Sequence, residues 1–279
     1  MKNTLFISDL DGTLLKNDKT LSSYSIKTLN DLIDMGLNFT YATARSYYSA
    51  YKIIKPLNLT LPVLHYNGTI ISSPSDGSPL YTHKFSTEDI NIIKDIFCRY
   101  SLYPLVYSVI GGYEKVLWQV SKETSGVKAY LNDRKDDPRL EPVTNRDDIY
   151  QGEIFYFTCI GEKGELIKAH KALTEISSIN SILIKDLYRD EYWLELVPAG
   201  ASKGASAGLM KNNYGFTRLV VFGDAMNYFS AFKSADLSYA VSNADDNLKA
   251  VASGVIGSNE SDAVAKFLWE YMKKNENSD

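Results

Sequence analysis

The sequence predicts an α/β protein: a parallel-sheet core assembled from the two ends of the chain, with an α+β segment inserted between them. Three observations carry this. The first third alternates short apolar runs with amphipathic helical stretches, a pattern that demands parallel strands joined by right-handed crossovers. The middle third changes texture to strand-like runs divided by turn signals, and the last third returns to the first pattern. At 279 residues the chain exceeds a comfortable single core and suits about two domains. We place the core at residues 1–83 and 193–279 and the insert at 84–192.

Residues 4–8, Thr-Leu-Phe-Ile-Ser, read as a strand that breaks abruptly into Asp9-Leu10-Asp11-Gly12-Thr13, because Asp and Gly are poor strand formers. Residues 22–35 carry Ile26, Leu29, Leu32 and Ile33 at helical spacing and stop at Gly36. Residues 37–42 read as a second strand ending at Thr43-Ala44-Arg45, residues 46–54 as a helix, and residues 62–66 as a third parallel strand broken by the Asn67-Gly68 turn signal. In the middle, residues 87–100 and 164–177 are expected as helices. Strands are expected at 104–108, 115–120, 154–160, 182–186 and 193–197, with a hairpin signal at Gly111-Gly112 and a charged loop at 133–139. Residues 202–212 read as a helix and 219–222 as a fully apolar strand ending in Gly223-Asp224. Residues 228–234 are a helix, 237–241 a strand, and 242–252 and 262–273 the closing helices.

Composition narrows the function classes. Hydrophobic content of 44% and charged content of 23% are ordinary for a soluble globular chain. A net charge of −4 without a lysine- or arginine-rich stripe argues against nucleic acid as a partner. No apolar stretch approaches the roughly 18 residues of a membrane span. Strand-forming sequence starts at Thr4, so neither a signal peptide nor a membrane anchor is expected and the cytoplasm is the expected compartment. Cys98 and Cys159 lack metal-ligand spacing and are expected as buried free thiols. His65, His83 and His170 show no triad or metal spacing and read as structural.

The chemistry-bearing residues lie at strand ends. Asp9 and Asp11, Thr43, Asn67 and Asp224 each follow a predicted strand, and a parallel sheet brings its carboxyl ends to one edge, where ligands bind. Two carboxylates one residue apart are compatible with a capped turn, with metal ligation, or with a nucleophile paired with an acid. A calcium loop is excluded by spacing: it requires Gly at the sixth position and Glu at the twelfth, which counted from Asp9 are Leu14 and Thr20. Lys203 opens a predicted helix, where its charge opposes the macrodipole; a bound anion would explain it.

Four segments then carry a resemblance. Asp9-Leu10-Asp11-Gly12-Thr13-Leu14, Ala42-Thr43-Ala44-Arg45, Leu196-Val197-Pro198-Ala199-Gly200-Ala201-Ser202-Lys203-Gly204 and Phe222-Gly223-Asp224-Ala225-Met226-Asn227 follow one another with a large gap between the second and third. In this the chain resembles the haloacid dehalogenase superfamily of phosphohydrolases, and within it the Cof-like sugar-phosphatase group, which carries a large α/β cap in a Rossmann-like core. Any one segment is weak; four in order are not.

The resemblance implies a magnesium-dependent phosphatase acting on a small phosphorylated metabolite, foremost a sugar phosphate, as a monomer or homodimer. It implies Asp9 as the nucleophile that forms an aspartyl-phosphate and Asp11 as the acid that protonates the leaving oxygen and then activates water. Mg2+ would be held by Asp9, Asp224 and the backbone carbonyl of Asp11. Thr43, Lys203, Asn67, Asn227 and Arg45 would face the phosphate. The same core also supports a phosphomutase, and a chain with weakened catalysis would be a phosphometabolite-binding protein. One departure stands out: the family's fourth segment continues to a second acid after the Asn, whereas this chain has Tyr228. That loss implies a weaker metal site, one that Tyr228→Asp would tighten.

Overall fold

The computed structural model describes residues 3–186 and 189–276. The chain divides into two compact units, Met1–Tyr81 with Ser202–Asp279, and Thr82–Ala201. The insert therefore ends at residue 201 rather than at 192. The strand Tyr192–Pro198 pairs antiparallel with both Ile179–Lys185 and Glu153–Gly161, which commits it to the second unit's sheet. Its Trp-Leu-Glu-Leu-Val core is apolar enough to have suited either sheet.

The first unit is built on a parallel sheet in the order Gly254–Ile256, Leu237–Val241, Arg218–Gly223, Thr4–Ser8, Asn38–Tyr41. Its two central strands are buried on both faces, as their unbroken Leu-Phe-Ile and Leu-Val-Val-Phe runs require. Phe6, Phe39, Val220 and Phe222 pack on one side against Leu29, Leu32, Ile54, Val264 and Leu268 from the helices Ser23–Asp34, Tyr47–Ile54 and Ala263–Glu276. Leu5, Ile7, Leu219 and Val221 pack on the other side against Ala207, Met210, Phe232 and Leu248 from Lys203–Asn213, Phe229–Ser234 and Asp246–Val251. With both faces covered, the open edge at the strands' carboxyl ends is left for chemistry.

Two elements of this unit differ from the sequence reading. Val63–His65 meets the parallel sheet through a single bridge, Ala42 to Leu64, and pairs instead antiparallel with Ile70–Ser72. Tyr66, Asn67 and Gly68 have φ of +50°, +55° and +91°, and this left-handed run folds the chain straight back. The closing helix expected at 242–252 covers only Asp246–Val251. Asp245 caps it by accepting from the Asn247 amide at 2.8 Å, so residues 242–244 form a strand-end loop.

The second unit holds a six-stranded sheet in the order Ile179–Lys185, Tyr192–Pro198, Glu153–Gly161, Leu105–Ile110, Tyr113–Gln119, Leu140–Val143. All its pairs are antiparallel except the last. The helices Thr87–Arg99 and Lys163–Thr174 cover one face through Ile93, Phe97, Leu166 and Leu173. The Gly111-Gly112 turn forms the expected hairpin, with φ of +59° and +84° between paired Ile110 and Tyr113. The helix Ser125–Asn132 went unread in the sequence. Gly126 breaks its pattern, yet a Cβ there would lie 2.3 Å from Ile160 Cγ2, so the glycine is what lets the helix approach the sheet.

Cys98 is exposed, contrary to expectation; Cys159 is buried, and burial pushes its thiol well up. His65 is buried beside the Tyr41 hydroxyl, and His170 Nδ1 lies 2.9 Å from Ser181 Oγ, which suits structural roles. Among the described residues no helix is long and apolar enough to cross a membrane.

Candidate active site

The strand Thr4–Ser8 delivers Asp9 beside the end of Arg218–Gly223, where the Asp9 amide donates to Phe222 O at 2.9 Å. The following turn is closed by Leu15 N–H on Leu10 O at 2.8 Å. It requires glycine at position 12: φ is +72°, and a Cβ there would sit 2.1 Å from Asp224 Oδ2. The first and fourth segments are thus packed backbone against carboxylate.

Asp9 is 5% exposed. Its Oδ1 accepts from the Leu10 amide at 2.7 Å and its Oδ2 from Lys203 Nζ at 3.1 Å. Burial pushes its carboxyl up to about 6; Lys203 opposes that rise and the Asp224 charge adds to it. Asp224 is half-buried and is raised chiefly by burial, offset by the Thr13 hydroxyl, which donates to Oδ1 at 3.1 Å. Lys203 is 1% exposed and burial lowers it, with the Asp9 charge the main opposing influence. Both members of the pair are drawn toward their neutral forms because desolvation outweighs their mutual attraction.

Asp11 has a different environment. Its carboxylate is exposed and clamped by Arg45, with Nε on Oδ2 at 2.7 Å and Nη2 on Oδ1 at 2.5 Å. The Arg45 amide donates to Thr43 Oγ1 at 3.1 Å, and the Asn67 amide donates to Thr43 O at 2.9 Å. Asn67 Oδ1 then accepts from Asn227 Nδ2 at 3.1 Å. The 66–68 turn rests on the start of the helix that carries Lys203: a Cβ on Gly68 would lie 2.5 Å from Ser202 O, and Ser206 Oγ donates to Gly68 O. Hydrogen bonds group Asp11, Arg45, Thr43, Asn67 and Asn227 in one set, Asp9 with Lys203 in a second and Asp224 with Thr13 in a third, and the charges of Asp9, Asp224 and Asp11 all act on Lys203. Within the first set Arg45 engages Asp11.

Magnesium prefers hard oxygen donors with little protein enclosure. Asp9 and Asp224 offer two carboxylates whose charges disfavour each other, with one lysine facing them. Among the described residues no group of three or more Asp, Glu, His or Cys side chains is arranged to hold a metal. Asp9 and Asp224 are two hard oxygen donors of the kind Mg2+ takes, and the Asp11 carboxylate, turned to Arg45, does not join them.

Two residues, Thr13 and Asn243, escaped the sequence reading, and a third, Tyr228, was read there only as a missing acid. Thr13 orients Asp224 as described. Asn243 donates to Gly12 O at 2.8 Å, pinning the turn that follows Asp9, and its place just after the strand Leu237–Val241 was a usable signal. Tyr228 is fully buried; its hydroxyl donates to Ala42 O, and Lys203 Nζ lies 3.8 Å from its ring centroid. Its position is therefore filled and bonded, not a vacant acid seat, and an aspartate there would remove the ring beneath Lys203.

The chain is 26% identical over 282 residues to the Bacillus subtilis 5-amino-6-(5-phospho-D-ribitylamino)uracil phosphatase YitU, covering 97% of this chain and 98% of that protein. It is 26% identical to the HMP-PP phosphatase of Klebsiella pneumoniae, over 95% and 94% of the two chains. The fold matches a haloacid dehalogenase-like hydrolase from Bacteroides thetaiotaomicron at a TM-score of 0.76 and 24% identity, covering 96% of this chain and 99% of that one. The family model of haloacid dehalogenase-like hydrolases matches residues 6–268, and the chain belongs to that family.

Proposed function

We propose that the protein is a magnesium-dependent phosphatase that hydrolyses a small phosphorylated metabolite, a sugar phosphate foremost, through an aspartyl-phosphate on Asp9. The observation that carries this is the buried Asp9–Lys203 pair at 3.1 Å, with a second carboxylate, Asp11, exposed two residues away. Phosphatase relatives whose names specify small phosphorylated metabolites support the substrate class. Substrate selection we assign to the inserted second unit.

An anionic nucleophile approaching an anionic phosphate meets repulsion of several kcal/mol at close range. Lys203 offsets part of it. Mg2+ held by Asp9, Asp224 and the Asp11 carbonyl would supply the remaining charge neutralisation. Thr43 and Asn67 orient the phosphoryl oxygens, and Arg45 leaves Asp11 to bind one of them. Asp9 attacks phosphorus as the ester P–O bond breaks, and Asp11, released and protonated, gives its proton to the departing oxygen. Asp11 then takes a proton from water as that water attacks phosphorus and the bond to Asp9 breaks, returning a free carboxylate and inorganic phosphate.

The test is phosphate release from a panel of phosphometabolites in Mg2+ and in EDTA, with Asp9→Asn alongside. We expect turnover of at least one metabolite in Mg2+, none in EDTA and none with Asp9→Asn. Activity retained by Asp9→Asn overturns the reading.

A further inference from the structure

We propose that Tyr228 is a positioning residue for Lys203, holding the ammonium on its ring face so that its charge stays directed at Asp9 and the transferring phosphoryl group. The inference rests on the phosphatase reading. Lys203 Nζ is 3.8 Å from the ring centroid and 3.1 Å from Asp9 Oδ2, so the ammonium lies in contact with both. The ring attracts a cation through its quadrupole and carries no net charge. A carboxylate in that place would compete with Asp9 for the same ammonium, around which the charges of Asp9, Asp224 and Asp11 already act.

The ring's orientation is built in. The Tyr228 hydroxyl donates to Ala42 O, the carbonyl immediately before Thr43. The Tyr228 amide donates to Ala225 O at 2.9 Å. Glycine is required on both sides of the contact: a Cβ on Gly223 would lie 2.8 Å from Tyr228 Cγ, and one on Gly204, next to Lys203, would lie 2.7 Å from Ser230 C and O. The two helix starts are thereby brought close enough for ring and ammonium to meet. Lys203 and Tyr228 are both fully buried, so water does not screen the attraction.

Fluorination tests this, because it weakens the ring quadrupole with little change of shape. The series is Phe, 4-fluoro-, 3,5-difluoro- and 3,4,5-trifluorophenylalanine at position 228, read by kcat/KM on p-nitrophenyl phosphate and by the affinity for inorganic phosphate in Mg2+. We expect both to fall stepwise, by about tenfold across the series, with the circular dichroism of the folded protein unchanged. A flat series in an active enzyme overturns the inference and leaves the phosphatase reading standing. Stepwise loss of phosphate affinity without turnover of any substrate overturns the phosphatase reading and keeps the inference; flat phosphate affinity without turnover overturns both. Should loss of the hydroxyl on Ala42 prevent folding, 3-fluoro- and 3,5-difluorotyrosine carry the same comparison against wild-type Tyr228.

Discussion

Asp9→Asn should abolish turnover and, in metal-free protein at neutral pH, make the first unit more stable. Burial holds the Asp9 carboxyl at about 6 against an ordinary 3.8. Between these values the folded protein keeps a proton that the unfolded chain releases, so this group's contribution to stability is full below pH 3.8 and is lost as pH rises through 6. That rise corresponds to roughly 3 kcal/mol of destabilisation at pH 7. At 5% exposure, solvent screening does not reduce the figure, and the Lys203 attraction is already among its causes. Asn mimics the protonated carboxyl, so it should recover most of that loss, on the order of 5–10 °C in melting temperature for a unit of this size. Calorimetry in EDTA should show wild type and variant melting together near pH 4 and separating by pH 7, with Mg2+ closing the gap through wild type alone. A variant less stable than wild type at pH 7 in EDTA would mean that the Lys203–Asp9 attraction exceeds the desolvation penalty, and the reasoning would be wrong.

Three further substitutions probe the site. Arg45→Ala removes the clamp on Asp11 and, in the proposed mechanism, a phosphate ligand; we expect KM to rise about tenfold or more in steady-state kinetics while stability changes by less than about 1 kcal/mol, since the pair is half-exposed. Gly68→Ala should cost about 2–4 kcal/mol in urea denaturation, because φ is +91° and the new Cβ would press on Ser202 O at 2.5 Å. Tyr228→Asp should destabilise by about 3–5 kcal/mol by emptying a ring-sized space and stranding the Ala42 carbonyl. Titration calorimetry should show Tyr228→Asp binding Mg2+ no more tightly than the natural chain.

The site was more legible than its wiring. Asp9, Asp11 and Asp224 could be placed because apolar runs such as Leu-Val-Val-Phe can only be buried parallel strands, and the ends of such strands share an edge. The order of four segments did the rest. Arg45's bidentate hold on Asp11 and Lys203's seat on the Tyr228 ring are tertiary contacts between segments far apart in sequence, and no local pattern encodes them. The same holds for Tyr192–Pro198, whose alternation fits either sheet until its partners are known. In contrast, Asn243 and the Asp245 cap carried local signals, strand-end polarity and an N-cap residue, that a helical reading of 242–252 overrode.

Whether Asp9 becomes covalently phosphorylated decides the account. With p-nitrophenyl phosphate, whose phenolate leaves without a proton, Asp11→Asn should still form the adduct but lack the group that activates water, so acid quenching after mixing with this substrate and Mg2+, followed by peptide mass spectrometry, should find one phosphoryl group on the peptide that spans Asp9. The adduct should disappear when Asp9→Asn is added. Phosphate release with no such adduct, in a protein that turns substrate over, would show that water attacks phosphorus without Asp9 as an intermediary and would contradict the mechanism.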